Sequence, residues 1–218
     1  MIISHSHKFI YFHAPKTAGT SVQKFLWSVC DHKKDFLAPS VKEVGYENLS
    51  SKLFNHSDVK FIKKNYEDLY NEYSLVGNVR NPWDRNVSQY FFNQFRIRLQ
   101  DWTAHITSVY PEYDPYESFE LYTKRKNYGD KLDTLVNFYD NTKIDFFIRF
   151  ESLEKDLRSL LNFLNINKPV VLGHDKKIKK DGTPVRKHTD YRIYYNEQTK
   201  KEIEKKFQDD IKAFRYTF

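Results

Sequence analysis

The chain has 218 residues, 30% of them Asp, Glu, Lys or Arg, and a formal net charge of +7. This length predicts a single domain over residues 1–218 with a substantial core, and the positive balance favours anionic ligands. No apolar run approaches the roughly 20 residues needed to cross a bilayer, which excludes a membrane span, and Cys30, the only cysteine, excludes an intrachain disulfide and a multi-cysteine zinc site. Met1-Ile2-Ile3-Ser4 leads almost directly into the first strand, so no secretory leader is expected and the chain is read as cytoplasmic.

The first predicted strand, Lys8–Phe12, runs into His13-Ala14-Pro15-Lys16-Thr17-Ala18-Gly19-Thr20-Ser21. Val22, Phe25, Leu26, Val29 and Cys30 then recur at helical spacing on one apolar face, so the loop opens a buried helix. Small residues, hydroxyls, one lysine and a helix N-terminus together suit a phosphate or sulfate. The nucleotide triphosphate loop places its lysine after the second glycine. Here Lys16 precedes Gly19, which weakens an NTPase or kinase reading.

Asn55-His56-Ser57-Asp58 precedes a helical pattern from Val59 to Tyr66. Ser74–Val79 reads as a second buried strand that delivers Arg80 to the start of another helix, with Asn81 as N-cap, Pro82 at the first position and Asp84 at N3. In open α/β sheets this C-terminal strand edge is where ligands bind. The aromatic and acidic stretch from Asp101 to Tyr128 fits either a sugar-stacking wall or core. A third strand, Ile144–Phe150, is followed by a helix with an apolar stripe of Leu153, Leu157, Leu160, Leu161 and Leu164. Basic clusters follow at Lys176–Lys180 and Arg186-Lys187-His188, and a last helix begins near Asn196 with Ile203, Phe207, Ile211 and Phe214 on one face. Strands alternating with helices predict an α/β fold, P-loop-like and three-layered, with a central, mainly parallel sheet flanked by helices.

Four segments, taken together and in order, resemble the sulfotransferases that use 3'-phosphoadenosine 5'-phosphosulfate (PAPS), nearest to the carbohydrate sulfotransferase branch. They are Phe12–Ser21, Val79-Arg80-Asn81-Pro82-Trp83-Asp84-Arg85-Asn86-Val87-Ser88-Gln89-Tyr90, Asp145–Asp156, and the ending from Tyr194-Tyr195 through Asp210 to Phe218. The resemblance implies that Pro15, Lys16, Thr17, Ala18, Gly19, Thr20 and Ser21 hold the 5'-phosphosulfate, and that Arg80 and Ser88 hold the 3'-phosphate. It also brings Arg186, Lys187 and Tyr191 over the nucleotide.

Lysine is a flexible point charge suited to the bridging oxygen on which negative charge grows as the sulfur–oxygen bond breaks, and arginine makes a forked contact to a phosphate. A monoanionic sulfuryl group needs less charge neutralisation than a phosphoryl group, and no metal is expected. The attacking hydroxyl needs a base, for which histidine is the usual choice near neutral pH. Family placement before the Arg-Asn-Pro motif selects His56, with Glu151 and His105 as alternatives, while His13, just before the loop, is expected to pack beside the cofactor. Adenine would find a stacking wall in Trp27, Trp83 or Tyr191.

The implied function is sulfuryl transfer from PAPS to an acceptor hydroxyl, on a carbohydrate by family branch, with no nucleic-acid partner. Two alternatives stay open: an ATP-dependent phosphotransferase on the same fold, or a non-catalytic module binding anions or sulfated glycans through its basic loops.

Overall fold

The computed structural model of the protein describes residues 1–40, 43, 52–98, 118–124, 132–172 and 189–218, with backbone alone at 95–98. The strands are β1 (Ile2–Ser4), β2 (Phe9–Phe12), β3 (Phe36–Leu37), β4 (Ser74–Val79) and β5 (Phe146–Arg149). The helices are α1 (Gly19–Trp27), α2 (Val59–Asn65), α3 (Glu67–Glu72), α4 (Pro82–Arg98), α5 (Phe119–Lys124), α6 (Leu135–Phe138), α7 (Leu153–Phe163), α8 (Glu197–Lys206) and α9 (Gln208–Phe214). Two compact units are made from them. The first comprises Met1–Arg80 and Leu135–His174, the second Asn81–Thr134 and Asp175–Phe218.

The first unit carries the sheet, in the order β3-β1-β2-β4-β5. The pairings of β2 with β4 and of β4 with β5 are parallel, whereas β1 is antiparallel to both β2 and β3. The sheet is therefore mixed, where a mainly parallel one is predicted from sequence. The difference comes from Met1–Ser4, which looks like a lead-in and is a fully buried strand folded back on β2. Its turn is fixed by Asp35, which accepts from Ser4 Oγ (2.9 Å), the Ser6 N–H (2.8 Å), Ser6 Oγ and the Asp31 N–H (2.9 Å). Burial alone would raise the Asp35 carboxyl. The donors from Ser6, Ser4 and Asp31 outweigh burial and bring its pKa down to about 2.

Alternation along the strands decides which side chains meet which helices. Phe9, Tyr11, Val76 and Ile148 share one core with Val22, Phe25 and Leu26 of α1 and Leu157, Leu160 and Leu161 of α7. On the other face of β4, the Tyr139 ring packs so closely on Gly77 that a Cβ there would lie 2.8 Å from it. The predicted stripe of α7 is thus core, as its spacing requires.

The second unit is rich in aromatic rings packed around a few aliphatic side chains. Trp83, Leu132, Ile203 and Phe207 form one cluster, with Tyr191, Tyr195, Tyr216 and Phe218 packed around it. Val87, Phe119 and Tyr122 form a second, joined by Tyr90, Phe91 and Tyr194. The predicted final helix is two helices that break at Phe207, whose backbone (φ −111°, ψ 25°) leaves the helical region while its side chain stays fully buried. Asn196 caps α8 through a reciprocal pair with Thr199, a capping box at the place where the last helix is predicted to begin.

Candidate active site

The loop from His13 to Ser21 joins β2 to α1 in the first unit. Lys16 (φ 65°) and Ala18 (φ 66°) both adopt the left-handed region, which turns successive peptide groups in the manner of an anion-binding nest. Neither is glycine, so the conformation is held by its surroundings. The loop's carbonyls are bound from behind, largely by side chains. Thr17 Oγ1 donates to Ala14 O (2.8 Å), Arg80 Nη1 to Lys16 O (3.1 Å), Asn78 Nδ2 to Thr17 O (3.2 Å) and the Tyr11 hydroxyl to Gly19 O (3.3 Å). The N–H groups of Ser21 and Val22 both reach Ala18 O.

With these carbonyls tied back, the N–H groups of Thr17, Ala18 and Gly19 have no acceptor among the described residues. Ala18 supplies no side-chain cap to α1, and its first turn holds no acidic residue. Donors and a helix N-terminus therefore converge in one loop, which also carries Lys16. This donor set fits a tetrahedral oxyanion.

Four residues that hold this loop are not among those the sequence singles out. Asn78 is the clearest, a fully buried amide in an apolar strand whose Oδ1 has no partner among the described residues. A polar residue inside a buried run is the signal that would have found it. Burial, with Tyr139 nearby, pushes the Tyr11 phenol well above its usual value and keeps it a donor. Phe150 lies under the Arg80 guanidinium, 3.7 Å from ring centroid to Cζ. Gln23 accepts from His13 Nδ1.

His13 is buried, and its ring occupies the space where a Cβ on Gly19 would be, 1.9 Å from Cδ2. Only glycine fits there. His56 is half-buried, and its Nδ1 donates to the His13 carbonyl (2.7 Å), while the two rings meet edge to face at 4.5 Å. With its Nδ1 proton committed to a carbonyl, neutral His56 carries its basic lone pair on Nε2. The loop and the predicted base are thus directly bonded. Glu151 is exposed in the 3-10 turn Phe150–Ser152. Trp27 lies at the far end of α1 from the loop, stacked on His32 at 4.5 Å.

In the second unit, Asn81 caps α4 as predicted, its Oδ1 accepting from the N–H groups of Trp83 (3.0 Å) and Asp84 (3.4 Å). Its Nδ2 donates to the Tyr191 hydroxyl (3.2 Å) and to Thr217 O (2.9 Å), which fastens the chain's last residues to the helix start. Burial pushes the Tyr191 phenol upward, although Arg192 and the Asn81 contact oppose it.

Trp83 is 3% exposed, donates from Nε1 to Lys200 O and meets Phe218 edge-on at 5.4 Å, so it is core here and not an open stacking wall. Arg85 is buried as well, 3.8 Å from the fully buried Asp210 and donating to Asp133 O (2.8 Å). Along α4, residues 82–87 are all buried and Ser88 is the first that is not. Arg186, Lys187, His188, His105, His174, Lys176–Lys180 and most of 101–128 lie outside the described residues.

Among the described residues, no group of three or more His, Cys, Asp or Glu is arranged to hold a metal ion, and no helix is long and apolar enough to cross a membrane.

A donor-rich strand-to-helix loop in a mixed α/β sheet, followed along the chain by an arginine at the next strand end, is an arrangement suited to group transfer from an anionic donor. The sulfotransferase family model matches residues 1–217, and the chain belongs to that family. Searches of curated proteins and of solved structures return no match.

Proposed function

We propose that the chain, as one sulfotransferase domain over residues 1–218, transfers a sulfuryl group from PAPS to a hydroxyl, on a carbohydrate acceptor by its likeness to that branch. The observation that carries this is the loop whose carbonyls are tied back while the N–H groups of Thr17, Ala18 and Gly19 are left to a ligand. When bound, PAPS supplies the activated sulfuryl group. Lys16 would neutralise the negative charge that develops as the sulfuryl group leaves, and the loop's N–H groups and the hydroxyls of Thr20 and Ser21 would hold the phosphosulfate oxygens. His56 Nε2 takes the proton of the acceptor hydroxyl, with Nδ1 anchored on His13 O. Arg80 and Ser88 are assigned to the 3'-phosphate, and Arg186, Lys187 and Tyr191 to the nucleotide, by family likeness. Pro15 opens the cradle.

Calorimetry with adenosine 3',5'-bisphosphate and transfer from labelled PAPS to a panel of glycans test this reading. Binding and a labelled product are expected, with Lys16→Ala lowering turnover by about a hundredfold or more. Failure to bind either nucleotide overturns the proposal. Tighter, magnesium-dependent binding of ATP would point to phosphoryl transfer instead.

A further inference from the structure

We infer that Gln23 and His13 are positioning residues that hold His56 in the orientation its chemistry needs, an inference that rests on the reading of His56 as the base. The backbone beside His56 is fixed, because the Asn55 N–H donates to Pro39 O (2.8 Å) and the Ser57 N–H returns to Phe54 O (3.0 Å). The imidazole itself still has two torsions. The bond from Nδ1 to His13 O sets the tautomer and one direction, but leaves the ring able to swing about that bond. The His13 ring, edge to face at 4.5 Å, is a wall against that swing.

That wall is itself held on two sides. Gly19 and Gln23 stand one turn apart on the same face of α1. Gly19 has no Cβ and admits the His13 ring, and Gln23 Oε1 accepts its Nδ1 proton. His13 is buried with Nδ1 engaged, so it acts through His56 and not on the acceptor. The array also joins two functions in one stretch of backbone, since the carbonyl that anchors the base belongs to the residue that opens the anion loop. A shift of the loop must then shift the base.

The variants Gln23→Leu, Gln23→Glu, His13→Phe and His56→Ala separate the possibilities. Turnover, affinity for adenosine 3',5'-bisphosphate and the ¹⁵N NMR signals of the histidines are read for each. Gln23→Leu and His13→Phe are expected to lower kcat by about ten- to a hundredfold, as small misplacements of a reacting group do, with bisphosphate affinity held within about twofold. In the unaltered protein His56 shows a protonated Nδ1 and an unprotonated Nε2; Gln23→Leu keeps that tautomer, since the bond to His13 O remains, while the His13 ring loses the acceptor that fixes its own Nδ1 proton. Gln23→Glu keeps the accepting oxygen and restores kcat, which a loss of folding would not allow. If His56→Ala is inactive while Gln23→Leu and His13→Phe turn over normally, the positioning inference is wrong and the base assignment survives. If His56→Ala keeps full kcat, the base assignment fails and this inference falls with it.

Discussion

The loop at 13–21 and the helix start at 81–89 read alike in the sequence, each a strand end followed by polar residues and a helix. They use those residues in different ways. In the loop, polar side chains act on the backbone: Thr17, Asn78, Arg80 and Tyr11 occupy carbonyls, and the N–H groups are what remains to meet a ligand. At the helix start the polar residues are built into the unit. Asn81 caps the helix and holds Tyr191 and Thr217, and Arg85 is buried beside Asp210. A motif rich in charge can therefore be mostly scaffold, and one whose side chains look unremarkable can be a site made of backbone.

The largest effect that would sharpen this contrast is on stability in the second unit. Arg85→Leu leaves Asp210 buried without its cation and should cost about 3–5 kcal/mol in urea denaturation. A wild-type midpoint would show that Arg85 is not scaffold and would reopen it as a ligand-binding residue.

A smaller change with the opposite signature is expected in the loop. Asn78→Ala removes the donor on Thr17 O and should weaken adenosine 3',5'-bisphosphate binding about tenfold, in line with one buried hydrogen bond. Its effect on stability should be less than that of Arg85→Leu, because Asn78 Oδ1 has no partner to lose among the described residues. Unchanged bisphosphate affinity would break the idea that carbonyl binding shapes the cradle.

The smallest effect concerns the β1–β2 turn and depends on pH. The Asp35 pKa of about 2 lies below its ordinary value of 3.8. Its contribution is therefore present in full above that ordinary value and disappears as the pH falls through about 2. Asp35→Asn should cost about 1 kcal/mol at neutral pH and flatten the acid limb of the stability profile below about pH 4. A parallel acid limb in the variant would show that the turn is held by other groups.

Local pattern was enough wherever one element carried its own signal. The cap at Asn81, the start of the last helix near Asn196, the buried strand Ser74–Val79 and the leucine stripe of α7 all follow from the spacing of residues within a few turns. The composition of 13–21 likewise points to a donor-rich loop, although the carbonyls that are occupied there depend on Tyr11, Asn78 and Arg80. Strand direction was not readable in this way, since nothing within Met1–Ser4 tells that it turns back on β2, and the mixed sheet followed from that one hairpin. Nor was the fate of Trp83 or Arg85, which depends on Phe218 and Asp210 more than a hundred residues away.

The amino-acid sequence thus determined the periodic elements, their caps and the identity of the donor-rich loop, which are local properties of backbone and side chain. Only the tertiary structure decided which loop carbonyls are occupied, where the His56 proton sits and which charges are buried. Each of these depends on a partner brought close by the fold, such as Asn78 to Thr17 or His13 to His56.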